Sequence, residues 1–145
     1  SASARRLDGF RRAMAAAGLA VDEALVAQGD FTYRSGLAAG EALLSLADRP
    51  TAIFASNDDM AAAVVAVAHR MGLSVPEDVA VAGFDDTIMA TSIWPELTTI
   101  RQPVPQMARV AVEALVRAVD DLRKGEESLI AQVQLSYQLV ERGSA

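Results

Sequence analysis

Hydrophobic and polar positions alternate in blocks along the chain. Residues 4–17 place Leu7, Phe10, Met14 and Ala17 at helical spacing and run into Gly18, which predicts a helix with a glycine stop. EALVAQGD (23–30) predicts a strand ending at Gly29-Asp30, and residues 34–47 predict a second helix carrying Leu37, Glu41, Leu44 and Ala47. TAIFAS (51–56) predicts a short buried strand. NDDMAAAVVAVAHRMG follows as a third helix, with Met60, Val64, Val67 and Met71 on one face, caps available from Asn57 and Asp58, and Gly72 at its end. DVAVAGF (78–84) and LTTIRQ (97–102) predict two more strands. Strands this apolar have no wet face, and helices separate them. The pattern therefore predicts an α/β protein, a doubly wound parallel sheet covered on both sides.

The last third breaks the rhythm. After Pro103 and Pro105 comes one long helix ending at Lys124-Gly125, with Met107, Ala111, Ala114, Ala118 and Leu122 as its apolar stripe. Arg109, Glu113, Arg117 and Asp120 lie opposite, with Glu113 and Arg117 at i,i+4. Val110 and Leu115 widen the stripe beyond what one shallow packing surface needs, so the helix is expected to have a partner outside this sequence. QVQLSYQLV (132–140) alternates strictly and predicts a half-exposed edge strand.

Composition narrows the possibilities. The 145 residues suit one ordinary domain, and 52% apolar content is enough to build a core. Net charge is −6, and the 13 Lys and Arg are scattered rather than striped, so this segment by itself is not expected to hold DNA. There is no cysteine and only one histidine, His69, which excludes a disulfide framework and leaves little for metal or triad chemistry. No cofactor and no metal are expected, and no phosphate-cradling glycine motif is present. No run is long and apolar enough for a membrane span, and SASARRLDGFRR lacks the apolar core of a signal peptide. The chain starts as though inside something longer.

The candidate chemistry lies at the ends of the predicted strands, where ligands of open parallel sheets bind. Asp30 and Phe31 follow the first strand. Asn57, Asp58 and Asp59 follow the second, Asp85 and Asp86 the third, and Gln102 the fourth. Arg6, in the first turn of the first helix, opposes the helix dipole and calls for an anionic partner such as Asp85. Together Arg6, Phe31, Asn57, Asp85 and Gln102 suit a polyhydroxylated ligand: an aromatic face for the C–H side of a sugar ring, a carboxylate and amides for its hydroxyls, and a guanidinium fork for its oxygens. Helix capping is the competing role for Asn57, Asp58, Asp59 and Asp86, and an ordinary core ring is the competing role for Phe31. Asp86 is expected to cap the helical segment after it. Gly83 is expected to let the backbone pass close to its neighbours, and Phe84 to pack beneath the site. No nucleophile or general base accompanies the carboxylates, so the protein is not expected to be an enzyme.

RRLDGFRRAMAAAGL, QGDF, PTAIFASNDDMAAAVVAVAHRMGLSVPEDVAVAGFDD, PELTTIRQP and LVERGS, in this order, closely resemble the effector-binding portion of LacI/GalR-type bacterial transcription regulators. The resemblance covers almost the whole chain and is most specific from Pro50 to Pro103. It implies a periplasmic-binding-protein-like fold. Residues 1–102 would be the C-terminal subdomain, 103–127 a crossover and helix of the N-terminal subdomain, and 128–145 the return. The DNA-binding domain would lie outside the sequence. It also implies that Arg6 grips the effector, Phe31 stacks on it, Asp85 binds its hydroxyls or ring nitrogen, and Asn57 and Gln102 add polar contacts. Ala2 stands where the family often has a further polar contact. By the same resemblance the protein is a cytoplasmic homodimer, with Met60, Val64, Ile93 and Trp94 at the subunit contact. Its effector would be a small molecule, a sugar ahead of a purine, and it would reach operator DNA only through the upstream domain. The alternative is a periplasmic sugar-binding protein of an ABC transporter, which shares the fold but fits PEDVAVAGFDD and PELTTIRQP less well.

Overall fold

The computed structural model describes residues 2–125 and 132–145. The chain divides into two compact units, Ser1–Ile100 with Leu139–Ala145, and Arg101–Gln138.

In the first unit, helix α1 spans Ala2–Ala16, α2 Tyr33–Leu44 and α3 Asp58–Arg70; strand β1 spans Ala52–Phe54 and β2 Ala80–Ala82. The two strands pair in parallel with Ile53 opposite Val81. On the far side of β2 a parallel bridge joins Ala82 to Thr98, and two further bonds extend it: Gly83 N–H to the Thr98 carbonyl and Asp85 N–H to the Ile100 carbonyl, each 2.9 Å. Strand β3 (Thr99–Arg101) pairs with β4 (Gln138–Val140).

The core is built around α3. Its Ala61, Val64, Val65, Val67 and Ala68 are buried with Leu43 and Leu44 of α2, Val79 and Val81 of the β2 region, and Leu97. The all-apolar run AAAVVAVA permits this, because a helix apolar on most of its circumference can be covered on more than one side. Gly36 brings α2 against α3: a Cβ there would lie 2.7 Å from the Met60 Cα and 2.9 Å from its carbonyl oxygen. Only a residue without a side chain allows that approach. Asn57 caps α3, its Oδ1 accepting from the Met60 N–H at 3.0 Å.

Two expected strands are corrected. Residues 23–30 form no strand: Glu23–Leu25 is a 3-10 turn capped by Asp22, and Glu23 is held by Arg11 through two bonds of 2.7 Å. Val26 leaves the turn in an extended conformation. It lines, together with Leu7, Phe10, Met14, Ile53 and Met60, a cavity of about 450 Å³. With that cavity beside it, the segment lacks the adjacent strand that a ladder requires. Of the expected strand 132–140 only Gln138–Val140 forms. Alternation marks a face, but a ladder also needs an edge, and β3 offers only three residues. The parallel sheet is accordingly smaller than the expected doubly wound one.

The second unit carries α4, Val104–Lys124, with Pro105 in its first turn and Gly125 closing it in the left-handed conformation at φ 76°. The charged face expected from the sequence is present: Glu113 pairs with Arg109 at 3.7 Å and Arg117 at 4.0 Å. Ala118 is buried, while Val112, Leu115, Val116, Val119 and Leu122 are exposed.

Candidate functional site

The carboxyl ends of β1 and β2 and the N-terminal part of α1 meet at one rim. Arg6 Nη1 donates to the Ser56 carbonyl just past β1, and Arg6 Nη2 sits 3.2 Å from Asp85 Oδ1 just past β2. The guanidinium therefore links the two strand ends; because α1 begins at Ala2, Arg6 lies in its second turn rather than the first turn expected. Its Cζ lies 3.9 Å from the Phe84 ring centre and 5.7 Å from that of Phe31. Phe84 thus packs beneath the site as expected. Phe31 is 38% exposed and stands at the rim, so it is no ordinary core ring.

Backbone strain is concentrated at this rim. Phe31 (φ 68°), Asp85 (φ 117°) and Asp86 (φ 54°) are the non-glycine residues with positive φ among the described residues. Such conformations cost free energy and persist only where the surroundings enforce them. The enforcing bonds are visible. Asn57 Nδ2 donates to the Phe31 carbonyl at 2.9 Å, Asp85 N–H is held by Ile100, and Asp86 is held by Arg142 at 2.7 Å. Asn57 is only 7% exposed and serves as both helix cap and loop anchor.

Several roles differ from expectation. Asp86 pairs with Arg142, and both side chains are largely buried. The 3-10 turn Ile88–Thr91 that follows begins at Thr87, whose N–H goes to Asp58 Oδ2 at 2.6 Å. Asp58 is more than a cap. It is fully buried and also accepts from Thr99 Oγ1 at 2.6 Å, so it ties α3 to β3 and to the loop after Asp86. Gly83 makes this possible, since a Cβ there would lie 2.5 Å from Asp58 Oδ1 and 2.7 Å from Leu97 Cδ2. Val64 is buried and Met60 partly so, and the backbone of α3 at these two residues lies against Gly36 and Gly40 of α2. Ile93 is half-buried against the core, whereas Trp94 is 81% exposed. Gln102 follows β3 and belongs to the second unit.

Sequence reasoning missed the C-terminal segment. Arg142 bonds the Leu97 carbonyl at 2.8 Å as well as Asp86, and Ser144 is fully buried. The Ser144 hydroxyl donates to the Val81 carbonyl at 2.6 Å and accepts from Thr98 N–H at 2.8 Å. A short polar end with one arginine carries no periodic signal. These bonds fasten it against β2 and support the rim from below.

Asp30 also has a local task. It accepts from the Thr32 N–H and hydroxyl at 3.0 and 2.6 Å, just before Thr32 caps α2. Hydrogen bonds from the Ser35 and Thr32 side chains lower its carboxyl from the usual 3.8 to about 2. A depressed folded value means that its stabilising contribution is complete above the unfolded value, about pH 4, and is lost as pH falls through about 2. A carboxyl NMR titration should give an Asp30 midpoint near 2, raised in Thr32→Val; an ordinary midpoint in the native chain would contradict these bonds.

A strained rim of charged and aromatic groups thus lies at the carboxyl ends of parallel strands, the place where open α/β sheets hold their ligands. The whole chain, residues 1–145, matches the periplasmic binding protein-like domain family. It is 39% identical to the ribose operon repressor of Escherichia coli (strain K12) over 140 residues, 97% of this chain and 41% of the relative. It is 41% identical to the transcriptional regulator CelR of Thermobifida fusca over 143 residues, 99% of this chain and 41% of the relative. A solved transcriptional regulator CelR–cellobiose complex superposes with a TM-score of 0.85 at 41% identity, covering 97% of this chain and 42% of that one. The chain belongs to the periplasmic binding protein-like family and is an effector-binding-domain segment of the LacI/GalR type. These relatives are transcription regulators rather than enzymes, and the chain spans about two fifths of their length. No helix among the described residues is long and apolar enough to cross a membrane.

Proposed function

We propose that the rim binds a sugar, and that this binding controls operator affinity in the longer protein to which the chain corresponds. The observation that carries the reading is the Arg6–Asp85 pair at 3.2 Å, set at two strand ends beside the Phe31 ring. The carboxylate accepts sugar hydroxyls, the guanidinium donates to sugar oxygens, and the partly exposed ring covers a C–H face. Asn57 contributes chiefly by holding Phe31, and Gln102 supplies a further polar contact from the segment that leaves this subdomain. Residues 1–102 and 128–145 then form the C-terminal subdomain and 103–127 the crossover into the other. The apolar side chains exposed on α4 support a covering partner there.

The regulator works as a cytoplasmic dimer, with Met60, Val64, Ile93 and Trp94 at the subunit contact, Trp94 being the most exposed of them, and a separate upstream domain on the DNA. Ligand shifts operator binding only by favouring one conformation over another. Titration calorimetry of the longer protein against cellobiose, ribose, other sugars and purine bases tests this. A sugar should bind and change operator affinity in a gel-shift assay. Binding confined to a purine base would overturn the sugar reading.

A further inference from the structure

We infer that Phe84 is a positioning residue for Arg6: its ring is a fixed platform that sets the plane of the guanidinium before any ligand arrives. The inference rests on the reading of Arg6 as an effector-gripping residue, but it concerns a side chain that need not touch the effector.

Phe84 is fixed from both sides. Before it, Gly83 N–H is bonded to the Thr98 carbonyl at 2.9 Å, and Gly83 is wedged between Asp58 and Leu97. After it, Asp85 N–H is bonded to the Ile100 carbonyl at 2.9 Å. The ring is thus mounted on a backbone tied to the sheet, whereas Phe31 sits in the loop before α2. The Arg6 Cζ lies 3.9 Å from the Phe84 ring centre, which is contact over the face, and 5.7 Å from that of Phe31. Arginine has a long, freely rotating stem, and a binding site that uses it must restrict that freedom. Face contact with Phe84 restricts the guanidinium to a plane by cation–π attraction and stacking. Within that plane, the bonds to the Ser56 carbonyl and Asp85 Oδ1 set the rotation. With the Arg6 side chain only 16% exposed, the attraction is little weakened by water. A leucine of similar bulk at position 84 would fill the space without offering a π-face, while tyrosine would keep it.

NMR of the 145-residue chain reads this without a ligand. The Arg6 δ-methylene and Nε–H resonances should be shifted upfield by the ring current. The shift should persist in Phe84→Tyr and be lost in Phe84→Leu, with the amide resonances remote from residue 84 unchanged. Arg6 resonances at ordinary positions in the native chain would overturn the inference whether or not the leucine variant folds; so would an unchanged shift in Phe84→Leu. In the longer protein, with cellobiose as the probe, Phe84→Leu should bind about tenfold more weakly and Phe84→Tyr within about twofold of the native protein. Arg6→Met separates the two readings. If it leaves cellobiose affinity unchanged while the ring-current shift is present, the effector role of Arg6 fails and the positioning by Phe84 stands.

Discussion

Replacing Asp58 with alanine is expected to destabilise the protein by about 3 kcal/mol or more, a large share of the roughly 5–15 kcal/mol that holds a domain of this size together. The side chain is fully buried, and each of its oxygens accepts one bond of 2.6 Å, from the Thr99 hydroxyl and the Thr87 N–H. Alanine would leave the buried Thr99 hydroxyl without its acceptor, at a cost of about 1–3 kcal/mol, and would also release the Thr87 N–H at the more exposed end of the site. A small void would add to this. Asp58 also stands in the first turn of α3, where a negative charge opposes the positive end of the helix dipole. Asparagine is not a conservative replacement, since its amide would point N–H groups at one of the two donors. Urea denaturation of the native chain, Asp58→Ala, Asp58→Asn and Thr99→Val checks this. A double-mutant cycle between positions 58 and 99 should return a coupling of about 1 kcal/mol or more. An alanine variant with an unchanged midpoint would show that α3 is not tied to β3 in this way.

Asp85→Ala should have the opposite profile, with a large loss of effector affinity and a small loss of stability. Its side chain is 29% exposed and meets Arg6 at 3.2 Å, so its removal should cost less stability than removal of the fully buried Asp58. A carboxylate that accepts two sugar hydroxyls is another matter. Each bond to a charged group is worth about 1.5–3 kcal/mol, so losing both should weaken binding by about 100-fold or more. Calorimetry of the longer protein with the sugar it binds, paired with a thermal melt, separates the two effects. Unchanged affinity in Asp85→Ala would remove this residue from the binding site. Lost affinity with an equally large loss of stability would make its role structural.

Much of the rim was legible in the sequence because it follows from position along the chain. A polar residue directly after a short apolar strand must lie at the strand's carboxyl end, which put Asp85 among the candidate partners of Arg6; the tertiary fold made that pair, across 79 positions. The aspartates that follow α3's cap and the β2 strand were harder. Asp58, Asp59, Asp85 and Asp86 are chemically alike in the sequence, and one ends up fully buried while another lies at the rim. Which oxygen meets which donor depends on how close the backbones approach, and Gly83 sets that distance for Asp58.

The amino-acid pattern by itself determined the four helices, the short apolar strands between them, the place of the polar residues at the strand ends, and the charged face of α4. These follow from local periodicity, caps and glycine stops, which act over a few residues. Tertiary structure decided the rest. Residues 23–30 did not become a strand: Glu23–Leu25 close into a 3-10 turn held by the Asp22 cap and by Arg11. α3 lies close against α2 at Met60 and Val64 because Gly36 and Gly40 carry no side chain there. Asp86 went to Arg142, and Ser144 became part of the core, because the chain's last residues fold back onto β2. Each of these depends on a partner far away in sequence, and periodicity carries no information about which distant group will supply the hydrogen bond.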